Sequence, residues 1–198
     1  MASPIARKVQ WCNQWPEMVG EQLGGGWPTG WADCGRALGS PGWGTVGALE
    51  VSQDRARFGV AVAELDQGGV VRVWSAGATS ADEVRALLFR WSPSVLLVGV
   101  TIADEFADDR WLLEKVGRKE TAVASPVLVD LVARGRLLHD HDPRTLLEVA
   151  GAKVLDTEAG PVLSARRSSV PIPAIKAATW AAWAAYDGRF TVVEPQIW

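Results

Sequence analysis

The densest cluster of reactive side chains is His139-Asp140-His141-Asp142. A spacing of two puts both imidazoles on one face only if the segment is extended, and no second His or Cys pair completes a zinc set. Asp142 followed by Pro143 reads instead as a helix start, with the aspartate as cap and the proline in the first turn. A loop entering a helix is therefore expected. Further carboxylates stand at Asp54 and, after an apolar run, at Asp104, Glu105, Asp108 and Asp109. Converging acids of this kind hold hard divalent cations, whereas scattered ones cap helices or stay solvated. No Ser-His-Asp or Cys-His arrangement is supported. The glycine-rich pieces GEQLGGGWP and GRALGSPGWG contain no lysine to reach a phosphate, so no nucleotide loop is present.

The chain of 198 residues is 48% hydrophobic and 22% charged, the composition of a globular protein with a substantial core. A net charge of -3 excludes a wholly basic coat for nucleic acid, so any DNA contact must be local. Such an edge lies between Arg134 and Lys176, where seven basic residues, including Arg144, Lys153, Arg166 and Arg167, face five acidic ones. No apolar run is long enough for a membrane span and the N-terminus has no signal peptide, so a cytoplasmic protein is expected. Cys12 and Cys34 form no metal or disulfide framework, which suits a reducing compartment.

Composition shifts near residue 44. Residues 1–44 hold five tryptophans among glycines without a sustained period, and read as an irregular arm lying on the body or on a partner. Residues 45–198 form the body. Thr45 to Val51, Phe58 to Leu65 and Val70 to Ala76 read as three successive strands, the last two joined by a turn at Asp66–Gly69, and so as an antiparallel meander. Ser80 and Glu83 open a helix, and Ser94 to Val100 is a strand buried on both faces. A helical segment over 103–116 and a fifth strand at 121–124 are expected next, then helices opening at Ser125-Pro126 and Asp142-Pro143. A second hairpin spans 154–165, and a final helix carries Ile175, Ala178, Thr179, Ala182, Trp183 and Tyr186 before Gly188. This order predicts an α/β, ribonuclease H-like fold: a mixed five-stranded sheet, a three-strand meander plus two parallel strands, flanked by helices.

Several stretches, in order, resemble the nuclease domain of the large terminase subunit of tailed phages. They are QWCNQWP at 10–16, ALEVSQDRARFGVAVAE at 48–64, PSVLLVGV at 93–100, GRLLHDHDPRTL at 135–146, ARRSSVPIPAIKAATWAAW at 165–183 and EPQIW at 194–198. The resemblance implies double-stranded DNA as partner, Mg2+ or Mn2+ as cofactor, and the cytoplasm of an infected bacterium as the setting. It also implies association with an ATPase on a separate chain, a small terminase or a portal.

In that family one acid stands on the first strand, one at the end of the fourth, and one before the last helix. By this pattern Glu50 takes the first place, one methylene longer than the usual aspartate. Gly99 and Pro171 stand at the other two and offer no side-chain oxygen. Asp54, Asp104, Glu105, Asp108 and Asp109 are the candidate substitutes, with Glu50, Asp54 and Asp104 taken as a shifted catalytic set and Glu50 and Asp104 as metal ligands. Arg166, Arg167, Lys153, Arg144 and Lys176 are the DNA-facing candidates, with Arg166 and Arg167 expected on the Glu50 side of the sheet. Three readings stay open: a DNA-binding or assembly module with a degenerate site, an active Mg2+ or Mn2+ endonuclease, and a protein-binding adaptor.

Overall fold

The computed structural model describes residues 26–42, 44–107, 111–158 and 160–188. Cys12, Trp43, Asp108, Asp109, Ala159 and the segments 10–16 and 194–198 lie outside the described residues. Three strands, β1 (Val46–Val51), β2 (Phe58–Leu65) and β3 (Val71–Ala78), form the expected meander. The Asp66 carboxylate closes its second turn by accepting from the Gly68 and Val70 N–H groups at 2.9 Å each. β4 (Val95–Gly99) pairs in parallel with β1, and β5 (Leu112–Val116) in parallel with β4. The ribonuclease H-like arrangement is present, with a sixth strand, β6 (Leu137–His139), added beside β3 to give the order β5-β4-β1-β2-β3-β6.

Two local expectations are corrected. The described residues between 103 and 116 hold a single 3-10 turn at Ala103–Phe106 and the edge strand β5 at Leu112–Val116, not the expected helix. Edge strands have one neighbour and one wet side, so their burial alternates weakly and the period is easily missed. Residues 121–124 are not a strand. They belong to α2 (Arg118–Ala133), which continues through Pro126, because Ala124, Leu128 and Leu131 at helical spacing bury against the core. The N-terminal signal came from Glu120, whose carboxylate accepts the Gly117 N–H at 2.8 Å, and not from Ser125-Pro126.

Two apolar layers sandwich the sheet. Leu49, Val51, Val60, Leu96 and Val98 pack with Val84 and Leu88 of α1 (Ala81–Trp91) on one face. Val46, Ala48, Ala61, Ala63 and Leu97 face α2 and α4 (Pro173–Asp187) on the other. α4 is apolar almost all round, and Pro173–Ala185 is buried apart from Lys176. Its many alanines let the helix lie close to the sheet. Residues 154–165 form the expected hairpin, β7 (Val154–Thr157) with β8 (Gly160–Leu163). Trp27 and Trp31 of the N-terminal region are buried in the same layer as α4.

The His139-Asp142 cluster is structural. Asp142 caps α3 (Pro143–Gly151), accepting from the Thr145 N–H at 2.8 Å. His139 is buried in β6, stacked on Trp31 at 4.4 Å. Its Nδ1 accepts from the His141 N–H at 3.1 Å, which leaves Nε2 to donate to the Trp31 carbonyl at 2.8 Å. Burial holds its pKa down at about 4, the Trp31 bond opposing. Burial likewise pushes Asp140 up to about 6, opposed by the Ser75 N–H.

These neighbours act on stability with opposite sign. As pH falls from the ordinary histidine value of 6.5 to about 4, the unfolded chain takes up a proton that folded His139 refuses, and stability is lost. Over the range from about 6 down to 3.8, folded Asp140 takes up the proton first, and stability is regained. Asp140→Asn removes only the second effect. The variant is expected to melt above the parent at pH 7.5, and the two midpoints should converge toward pH 4, because the amide oxygen can still accept from Ser75. Parallel melting profiles across this range would contradict the assignment.

Candidate functional site

Period-two alternation decides where Glu50 points. Val46 and Ala48 face α4, so Glu50 does too, at the carboxyl end of β1. The parallel register sets Leu49 beside Val98, which brings Glu50 alongside Gly99 at the end of β4. A Cβ built on Gly99 would stand 2.5 Å from the Glu50 Oε1, so the glutamate side chain fills the space a residue at 99 would claim.

These strand ends open into a cleft of about 1260 Å³. Its walls are the β1–β2 turn, Val100 and Thr101 after β4, Gly117 and Arg118 opening α2, Ala165 and Arg166, and residues 168–173 with Lys176. The last wall is held by the Ser168 and Ser169 N–H groups, which donate to the Ser164 and Gly151 carbonyls at 3.1 and 3.0 Å.

Glu50 is 8% exposed at its side chain and fully engaged. Oε1 accepts the Val51 N–H at 2.9 Å, and Oε2 forms an ion pair with the Lys176 ammonium. Lys176, in the first turn of α4, was expected to face DNA; instead it points inward to Glu50 and lies over the Trp180 ring at 4.8 Å. Asp54 lines the cleft, yet its Oδ1 accepts from the Ser52 hydroxyl at 2.5 Å and the Ala56 N–H at 3.1 Å. Those bonds, the hydroxyl first, hold its carboxyl below the usual range and make it a turn-closing residue. Asp104 is not brought to Glu50: it is exposed and paired with Lys115 at 2.9 Å. Pro171 lies in the wall and contributes no ligand.

A pair of divalent ions does not fit this donor set. Six or more oxygens are wanted per ion. Among the described residues no group of three His, Cys, Asp or Glu side chains converges closely enough to hold a metal.

Five cations, Arg55, Arg57, Arg118, Arg166 and Lys176, line the cleft against the carboxylates of Glu50 and Asp54. Arg166 lines the same cleft as Glu50. Arg167 is exposed outside the lining, Lys153 sits at the foot of β7, and Arg144 reaches the Gly77 carbonyl of β3. Sequence reasoning missed Arg55, Arg57 and Arg118. Their signal was position, since each closely follows a strand whose carboxyl end opens into the cleft.

Known structures share this fold. The large terminase of bacteriophage HK97 matches at 16% identity over 87% of this chain and 45% of that one, with a TM-score of 0.68. The fold is that of a phage large-terminase nuclease domain. The large terminase nuclease of thermophilic phage G20c matches at 14% identity over 76% of this chain and 87% of that one (TM-score 0.53). The terminase nuclease domain of Thermus phage P74-26 matches at 16% over 77% and 86% (TM-score 0.52). The G20c nuclease has been observed with magnesium bound. This chain spans less than half the length of the HK97 terminase. No protein-family model and no curated protein matches the sequence. No helix among the described residues is long and apolar enough to cross a membrane.

Proposed function

We propose that this terminase-nuclease fold serves phage DNA packaging by holding duplex DNA through its phosphates without hydrolysing it. The observation that carries the reading is the Glu50–Lys176 pair beside the side-chain-less Gly99, at the strand ends where a nuclease of this fold needs converging carboxylates. The excess of cations around the same cleft suits a phosphate backbone. Packaging would place the protein in the cytoplasm of an infected bacterium, working with a terminase ATPase motor and with a small terminase or portal as partners.

Duplex affinity, followed by fluorescence anisotropy, is expected to fall steeply between about 50 and about 200 mM salt. Arg118→Ala with Arg166→Ala should weaken binding and flatten the log-log salt slope by about 0.9 for each phosphate no longer neutralised. Supercoiled plasmid should survive incubation with Mg2+ or Mn2+. Nicking in Mn2+ that disappears in Glu50→Ala would establish the endonuclease instead. Absence of DNA binding at low salt would favour the adaptor.

A further inference from the structure

The cleft's missing metal ligands and its inward-turned lysine belong together. Glu50 is a nearly buried carboxylate, and such a group needs a compensating charge. In a metal site of this kind two carboxylates balance one divalent ion. Here Gly99 removes one of the carboxylates, and a single ammonium balances the one that remains. The positive charge is fixed in place: Lys176 sits in the first turn of α4, its Nζ lies 4.8 Å from the centre of the Trp180 ring, and Trp180 is anchored to the Thr121 hydroxyl of α2 at 3.1 Å. A divalent ion entering beside it would find both Glu50 oxygens and one Asp54 oxygen already accepting hydrogen bonds. It would also meet Arg57, Arg118 and Arg166 in the walls, together with Arg55, which is paired with Glu105, and among the described lining residues only Asp54 adds a carboxylate to that of Glu50.

We infer that the Lys176 ammonium is a resident substitute for the divalent cation, and that it excludes Mg2+ and Mn2+ from the cleft. This rests on reading the cleft as nuclease-like but not on DNA binding, so the two fail separately: metal exclusion is read without DNA, and duplex binding is read without metal.

The test is a Mn2+ titration of the 15N-labelled protein, following paramagnetic broadening of the Val51 and Val98 amide signals, with isothermal calorimetry for affinity. The parent is expected to show no saturable broadening at these positions. Lys176→Gln combined with Gly99→Asp supplies a second carboxylate and removes the ammonium. The Glu50 side chain, then released from its ion pair and held only by the Val51 N–H, can swing away from the new one. That variant should bind Mn2+ saturably, on the order of tenfold or more tighter than the parent. Saturable broadening in the parent overturns the inference, and so does a folded double variant that binds no better. If the double variant does not fold, the parent titration decides alone, broadening refuting and its absence supporting.

Discussion

Gly59→Ala is expected to destabilise the protein by about 3 kcal/mol, at the upper end of what overpacking costs. Gly59 lies on β2 directly opposite Glu50, and a Cβ there would collide with the backbone of Pro173 and Ala174 at the start of α4. Backbone cannot turn aside as a side-chain tip can, so either the strand or the helix must move. Either movement shifts Lys176, two residues further on. The midpoint of thermal unfolding should fall by roughly 6–12 °C for a domain of this size. Gly39→Ala is the control, because its added methyl meets nothing within 4 Å. It should stay within about 0.5 kcal/mol of the parent. Equal effects of the two substitutions would mean that the close approach of α4 to β2 is not what Gly59 provides.

Glu148→Ala should cost about 2–4 kcal/mol, whereas Glu148→Gln should cost little. Glu148 is buried on α3, and its Oε2 accepts the Ile175 N–H at 2.9 Å. α4 has no side-chain cap of its own, since its N-cap residue is Ile172. Alanine therefore leaves a buried N–H of the first turn without its partner and opens a cavity beside it. Burial pushes the Glu148 carboxyl well above its ordinary value, against the opposing bond from Ile175. A raised folded pKa means that the folded chain holds the proton longer, so parental stability declines as pH rises through that value. Glutamine keeps the acceptor and does not ionise. The Gln variant should therefore match the parent in acid and equal or exceed it at pH 8. A Gln variant as damaged as Ala would show that the charge, not the acceptor, supports α4.

Both substitutions act on the first turn of α4, a segment whose role in the site is only partly visible in the sequence. The residues 173–187 announce a buried helix, with proline at one end, Gly188 at the other and apolar side chains nearly all round. Nothing local says that Lys176, the single charged side chain between Pro173 and Tyr186, turns inward to Glu50, 126 residues earlier. A lysine in a basic stretch reads as solvated or DNA-facing, because local pattern carries no record of a distant buried carboxylate.

Hairpins, caps and strongly alternating strands are settled by neighbours in the chain, which is why the meander, the Ser80 and Asp142 caps and the β1–β4 strand pair are legible from residue order. Glu50 beside Gly99 follows from the same period-two logic once the strands are parallel. The edge strand β5, the helix α2 running through Pro126 and the three-residue β6 depend instead on partners far along the chain. Their hydrogen bonds and apolar contacts outweigh weak or contrary local preferences. The engagement of Asp54 in its turn, the turning of Asp104 outward to Lys115 and the pairing of Glu50 with Lys176 are of that second kind. Composition supplies the carboxylates and the cations, but which of them meet in a low-dielectric cleft is decided by packing, because ion pairing and burial are properties of three-dimensional proximity rather than of spacing along the chain.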